Sequence, residues 1–418
     1  FAARLPDRVF EGAGALAAVG SSYTLMTFLT SILLGLCMGS SVYFSIQFGR
    51  QDPDKLRSGI FQAFLLIGAI TLVLNALVYA LVDPILLLLQ IPPEVTGLTK
   101  TYLLWVFAGI VATFLYNFFA NLLRAVGNSV TPLLFLGISV VLNIGLDLLF
   151  VVPLQMGVQG AALATVISQS IGLIWIVSHY LNKNTTIRFK PGIFKLKSRI
   201  IMSIFSIGMS PFLMNVCASS VVIILNNSFM RYGGDLAIGA YGIVNRVLTL
   251  FIMIEIGVTQ GMQPVIGFNY GALLFDRVRK TLRYALIAGV SIMTFGFLLS
   301  QLFPSAIVGM FTDNHELMNL SKFGLRVTCL MFPLAGCQII ITNFFQSIGN
   351  AKVSIFLSLS RQLLFLIPFL LILPRFWGIT GVWSSMPMAD FISFMTTIGT
   401  FMYFVRKGLL FKANKTIE

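Results

Sequence analysis

Apolar stretches of about 20 residues recur along this chain from residue 21 to residue 405, separated by short polar, proline-marked or glycine-marked breaks. That recurrence leaves few folds open. Crossing a hydrocarbon core of roughly 30 Å takes about 20 apolar residues of helix, and only helices and closed barrels satisfy their own backbone there. A barrel needs strict alternation over segments of about 10 residues. The run IFQAFLLIGAITLVLNALVYALV (60 to 82) is instead apolar on every face. Only 10% of the residues are charged, which excludes a soluble domain with its usual quarter. The expectation is an all-α polytopic membrane protein.

Eleven spans are expected, near 21–48, 58–82, 100–123, 130–152, 158–180, 200–230, 237–268, 284–303, 323–347, 353–373 and 379–404. The net charge of +14 does not signal nucleic acid, because the basic residues sit where membrane topology wants them. With the loop KNTTIRFKPGIFKLKSR on the cytoplasmic side, nineteen of the 28 Lys and Arg fall in loops on that side and about five opposite. This places the C-terminus in the cytoplasm. The four cysteines all lie within spans and form no CxxC, and only two histidines occur, so neither a disulfide framework nor a zinc site is expected.

Sliding the chain against itself by 222 places Gly12, Gly20, Gly35, Gly39, Gly49 and Gly127 on Gly234, Gly242, Gly257, Gly261, Gly271 and Gly349. Asn121 and Asn128 fall on Asn343 and Asn350, and after a slip of one residue Gly157 and Gly160 fall on Gly378 and Gly381. The chain therefore reads as two homologous six-helix bundles, an organisation common among secondary transporters. The first bundle spans 1–182, a basic cytoplasmic linker 183–199, the second bundle 200–405, and a basic tail 406–418. One helix lacks a partner: the counterpart of 200–230 would begin before residue 1. What stands there instead, FAARLPDRVFEGAGA, is a poor membrane span, so a twelve-helix natural protein with a late or altered start is expected.

The two-bundle layout and the motif QGMQPVIGFNYGA (260 to 272) resemble the multidrug and toxic compound extrusion (MATE) transporters of the bacterial branch, as do LAAVG (16 to 20), LRAVGNSVTP (123 to 132) and GVQGAALAT (157 to 165). The resemblance covers the chain beyond its first fifteen residues. It implies export of small organic cations from the bacterial inner membrane in exchange for Na⁺ or H⁺, by alternating access between the bundles, with no other cofactor. A monomer with no nucleic-acid partner is expected.

Ionisable residues within spans are costly and so become candidates for function. Asp147 lies four residues after Asn143, on one face of its helix, and the second bundle has no acid at the corresponding place. In the family's prokaryotic members an Asn and Asp at this spacing, with a Thr on the next helix and an Asp on the first, line a cation site. The resemblance thus assigns Asn143, Asp147 and Thr165, whereas the first-helix Asp is missing. Oxygen ligands suit a hard cation, and a carboxylate there can also take up a proton.

In the second bundle, Thr259 and Gln263 share a helix face with Glu255 and Pro264 invites a bend, so the stretch reads mostly as architecture at the cytoplasmic end of its helix, with a polar stripe facing a water-filled cleft as one consequence and Gln260 and Gln263 as candidates to touch substrate. Glycines 257, 261, 267 and 271 should permit close packing with a neighbouring helix. Glu255 is a candidate second cation or substrate anchor, and Arg361 and Asp390 a structural charge pair. Tyr23, Tyr43, Tyr116, Phe118 and Phe119 are candidates to line a cleft for flat cations.

No phosphate-binding loop of the GxxxxGK[ST] type and no nucleophile, histidine and acid cluster occurs, so hydrolytic chemistry has no support and the chain is not expected to be an enzyme. A rival reading is a flippase or exporter of lipid-linked or other polar substrates. It would want a basic cleft, for which only Arg246 and Arg361 lie within spans.

Overall fold

A computed structural model describes residues 9–88, 93–181 and 196–410, all helical or in turns between helices. The helices are α1 (Val9–Gly49), α2 (Pro53–Leu88), α3 (Pro93–Ala108), α4 (Ile110–Ala125), α5 (Val130–Val151), α6 (Gly157–Leu181), α7 (Ser198–Gly271), α8 (Phe275–Leu302), the short α9 (Pro304–Gly309), α10 (His315–Thr328), α11 (Phe332–Ser347), α12 (Ala351–Leu359) and α13 (Ile367–Arg406). Among the described residues, eight helices are long and apolar enough to cross a membrane, or nine with α3 and α4 taken as one span bent by 43°.

Two of these helices are too long for one crossing. At about 1.5 Å per residue, 74 residues of α7 would reach roughly 110 Å, far beyond a bilayer. The helix breaks at Gly234, which takes φ 63°, ψ −162°. The path through α12 and α13 breaks likewise at Gly378, with φ 55° and ψ −134°. Each then supplies two spans, which brings the count among the described residues to the eleven expected. The break in α7 falls between the expected spans 200–230 and 237–268, at a glycine because only glycine adopts that conformation without a Cβ clash, whereas Pro264, where a bend was expected, shows no departure from helical dihedrals.

Other spans are less regular than the hydropathy suggested. The expected span 100–123 is divided at Gly109, and 323–347 contains a 3₁₀ turn at Cys329–Met331. A π turn occupies Ser360–Leu366, where the chain passes from α12 into α13. At the other end, α1 starts at Val9, a dozen residues before the expected span; the Ala-rich and Gly-rich stretch there carries no proline to stop a helix.

The repeat is visible in the backbone. Gly127 (φ 92°) and Gly349 (φ 76°) end α4 and α11 in the same left-handed cap. Asn128 N donates to Leu123 O at 2.9 Å and Asn350 N to Phe345 O at 2.9 Å, related by the 222-residue offset. Gln51 and Leu273, also 222 apart, both take positive φ (56° and 59°) in the turns after α1 and α7. Gly157 and Gly378 match after the one-residue slip, at 54° and 55°. Asn121 Nδ2 donates to Asn117 O and Asn343 Nδ2 to Ile339 O, again in register.

By contacts the chain divides into two units, residues 1–44 with 52–208, and 45–51 with 209–418. In the first, α5 and α6 pack closely, α3 and α4 lie on α6, and α2 lies on α3 and α4. An aromatic cluster of Phe44, Phe64, Phe114, Phe118 and Phe119 fills the space between α1, α2 and α4. Here Gly39 of α1 meets Gly208 of α7 so closely that a Cβ on Gly39 would lie 2.5 Å from the Gly208 nitrogen.

In the second unit, α8 packs on α11, and α11 on α13. Trp383, fully buried, packs on Phe229 with ring centroids 4.4 Å apart and the ring planes tilted by 54°. The end of α1 belongs to this unit: Gly49 packs on the backbone of Phe268, and Gly271 on that of Ile46. These two contacts are themselves related by the 222-residue repeat. Of the four glycines expected to permit close packing, Gly267 and Gly271 do so, whereas a Cβ on Gly257 or Gly261 would meet nothing within 4 Å.

Candidate functional site

The first site lies on α5. Asn143 and Asp147 are one turn apart and half-buried, and each carries a buried polar atom, Nδ2 and Oδ1, with no hydrogen-bond partner. Leaving a buried polar group unsatisfied costs about 1–3 kcal/mol, which makes two on one helix face candidates for function. At the positions 222 residues on stand Phe365 and Phe369, and the repeat scaffold therefore does not require polarity there. Tyr102 of α3 lies within electrostatic reach of Asp147, a neighbour the sequence did not single out.

Thr165 sits on α6, the helix packed against α5, but its hydroxyl donates to Ala161 O at 3.1 Å within its own helix. No hydrogen bond joins it to Asn143 or Asp147 among the described residues. A threonine so bonded still presents a lone pair, which a cation could accept without breaking the helix. A further polar column runs along α4. Asn117 and Asn121 cap successive carbonyls at 2.8 Å, Ser41 donates to Asn121 O, and Thr113 pairs with Gln169 of α6.

The second site centres on Glu255 of α7. Its side chain is 0% exposed and both carboxylate oxygens lack a partner. It lies against Gly289 of α8, where a Cβ would strike both Glu255 Oε1 and Ile340 of α11, and within electrostatic reach of Cys337. The absence of a side chain at Gly289 makes the room the carboxyl occupies. Thr259 and Gln263 follow on the same face and are also buried. This burial fits the architectural reading of the stretch, and the apolar neighbours Met262 and Ile266 belong to a core that also holds residues of α8 and α11. Gln260, one residue off that face, is half-buried.

On α11, Gln338, Thr342 and Gln346 recur at intervals of four, and each has an unpartnered buried atom; Gln338 Nε2 donates to Ser393 Oγ at 2.6 Å. The signal for this stripe was present as QxxxTxxxQ in an apolar run, but uncharged side chains did not meet a search for ionisable residues. Arg361 and Asp390 do meet, with Nε donating to Oδ1 at 2.7 Å. Arg246 is exposed.

The aromatic candidates are spent on packing. Tyr43 is buried with its ring on Gly59, and Tyr116 is buried with its hydroxyl donating to Pro132 O. Phe118 and Phe119 sit in the aromatic cluster of the first unit. The Tyr23 side chain lies outside the described residues.

Two helical repeats of long apolar helices, each with buried polar atoms that have no hydrogen-bond partner among the described residues, define a polytopic membrane protein. A family model described as MatE matches residues 8–149 and 211–372, more than half of the chain, and the chain belongs to the MatE family. It is similar to the multidrug export protein MepA of Staphylococcus aureus, 27% identical over 405 residues that cover 95% of this chain and 88% of that protein. The protein of the same name from Staphylococcus saprophyticus is 24% identical with the same coverage. Among solved structures, the MATE multidrug transporter DinF-BH is 29% identical with a TM-score of 0.86, covering 95% of this chain and 89% of that one. A MATE structure in a bent conformation has a TM-score of 0.90 at 21% identity, covering 96% and 89%.

Proposed function

We infer that the chain is a secondary active antiporter that exports small organic cations, drugs among them, across a bacterial inner membrane in exchange for Na⁺ or H⁺ by alternating access. Membership of the MatE family and the names of the relatives support the export of drugs. The observation that carries the antiport is Asp147, a carboxylate with a buried unpartnered oxygen beside Asn143, in the first repeat only. In this reading Asp147, Asn143 and Thr165 hold the inward-moving ion. Its binding satisfies the buried oxygen, and its release restores the cost, so occupancy biases one conformation over another.

Glu255 is a second carboxyl on this pathway, with room made for it by Gly289. The rival flippase loses support, since Asp390 neutralises Arg361 and leaves Arg246 as the remaining basic candidate. The C-terminus is assigned to the cytoplasm on the distribution of Lys and Arg.

The test is efflux of a fluorescent organic cation in everted vesicles, with a Na⁺ gradient and a pH gradient imposed separately. One gradient should drive transport, and Asp147→Asn should abolish the driven component while the protein stays folded. Glu255→Gln in the same assay reports the second carboxyl. Gradient-driven transport that survives in Asp147→Asn would overturn the assignment of the ion.

A further inference from the structure

On the surface of the second unit, the first turns of α8 and the last turns of α13 enclose a groove of about 580 Å³. Its lining is Arg279, Arg283, Leu286, Ile287, Phe401 and Val405, with Leu282 buried beneath. We propose that this groove binds an anionic phospholipid: Arg279 and Arg283 hold the headgroup phosphate, and the first acyl carbons lie on the apolar wall.

The helical spacing produces the chemistry. Residues 279, 283 and 286 to 287 are one and two turns apart, so α8 presents its two guanidinium groups above its aliphatic side chains on a single face. Residues 401 and 405 do the same for the facing apolar wall. That wall is braced, because the Phe401 ring is held edge-on by Phe344 and Phe345 of α11. Two arginines over hydrocarbon match an amphiphile with a charged head, and guanidinium forks suit phosphate oxygens.

The local charge agrees. Arg277 and Lys280 flank the pair on α8, and Arg406 and Lys407 end α13, with Lys407 lying 4.9 Å above the Tyr403 ring. Arg279 Nη1 is 3.4 Å from Asp276 Oδ1, an exposed pair of little strength. Arg283 has no ion pair among the described residues. The first repeat supplies an internal comparison: 222 residues earlier, Arg57 matches Arg279, but Phe61 replaces Arg283 and Leu65 replaces Ile287. The fold therefore does not need the second arginine, and the paired site belongs to the second repeat.

The test places the full chain in phosphatidylcholine nanodiscs carrying a trace of photoreactive phosphatidylglycerol, and maps the label by peptide. Label is expected on the peptides bearing 279–287 and 401–405, competed by unlabelled phosphatidylglycerol but not by phosphatidylcholine or glycerol phosphate. The pair Arg279→Gln and Arg283→Gln should reduce it by roughly tenfold or more beyond the control pair, since it removes direct guanidinium–phosphate hydrogen bonds as well as charge. Arg277→Gln with Lys280→Gln, the control pair, removes the same charge outside the groove and should cost only the surface-charge share. Equal losses in the two double variants would overturn the site in favour of diffuse surface charge. Equal competition by phosphatidylcholine would reduce it to ordinary lipid contact, and competition by glycerol phosphate would make it a soluble-anion site. If the first variant does not fold, the competition series on the unaltered protein still decides.

Discussion

Replacing Gly39 with alanine, and separately its repeat counterpart Gly261, is expected to move stability in opposite directions. Both glycines are helical and 222 residues apart, so the gain in helix propensity, about 0.8–1 kcal/mol, is common to the two changes. Their surroundings differ. A Cβ on Gly39 would lie 2.5 Å from the Gly208 nitrogen and 2.7 Å from Ile204 O, backbone atoms that cannot rotate aside, whereas a Cβ on Gly261 would meet nothing within 4 Å. Separating α1 from the start of α7 by about 1 Å is an overpacking cost of roughly 1–3 kcal/mol. The difference between the two variants therefore isolates that packing cost, and the upper end applies because the contact is backbone on backbone. Thermal unfolding in detergent, followed by size-exclusion of the monodisperse fraction, should show Gly261→Ala at or above the parent and Gly39→Ala below it. Equal midpoints, or a Gly261→Ala variant as unstable as Gly39→Ala, would refute the reasoning.

Two further outcomes follow from contacts in the second unit. Arg361→Met alone should destabilise by about 3 kcal/mol, because it leaves Asp390 buried without its partner, and Arg361→Met with Asp390→Leu should recover most of the loss; strictly additive losses in a double-mutant cycle would contradict a direct pair. Gly324→Ala would put a Cβ 2.5–2.7 Å from the Trp383 ring, so it should cost about 1–3 kcal/mol and shift the emission of that buried indole; an unchanged spectrum in a background lacking the other tryptophans would count against the packing described.

Much of the fold was legible because it follows from solvent. Twenty-residue apolar runs have one low-energy arrangement in a bilayer, so span number and helical class could be counted from hydropathy alone. The repeat was legible for a related reason: glycines matched at 222 mark backbone turns and close approaches that both halves need, and the shared left-handed caps at Gly127 and Gly349 are such turns. The site was legible only where it was ionisable. Asp147, Glu255, Arg361 and Asp390 announced themselves by the cost of charge in hydrocarbon. Gln338, Thr342 and Gln346 did not, because amides and hydroxyls are common enough in membrane helices to pass as packing.

By itself, then, the sequence determined what the bilayer and the backbone demand: helices of spanning length, a basic side, two related halves, and the few acids that must be explained. Only the tertiary structure decided which of those groups find partners. Arg361 and Asp390 neutralise each other, while Glu255 is sealed against Gly289 with neither oxygen bonded. It also decided that Tyr43 and Tyr116 are buried, and that Gly39 is filled while Gly261 is open. The physical reason is that hydropathy is a property of single side chains, whereas satisfaction of a buried polar atom and the closeness of two helices depend on what the rest of the chain places within about 4 Å.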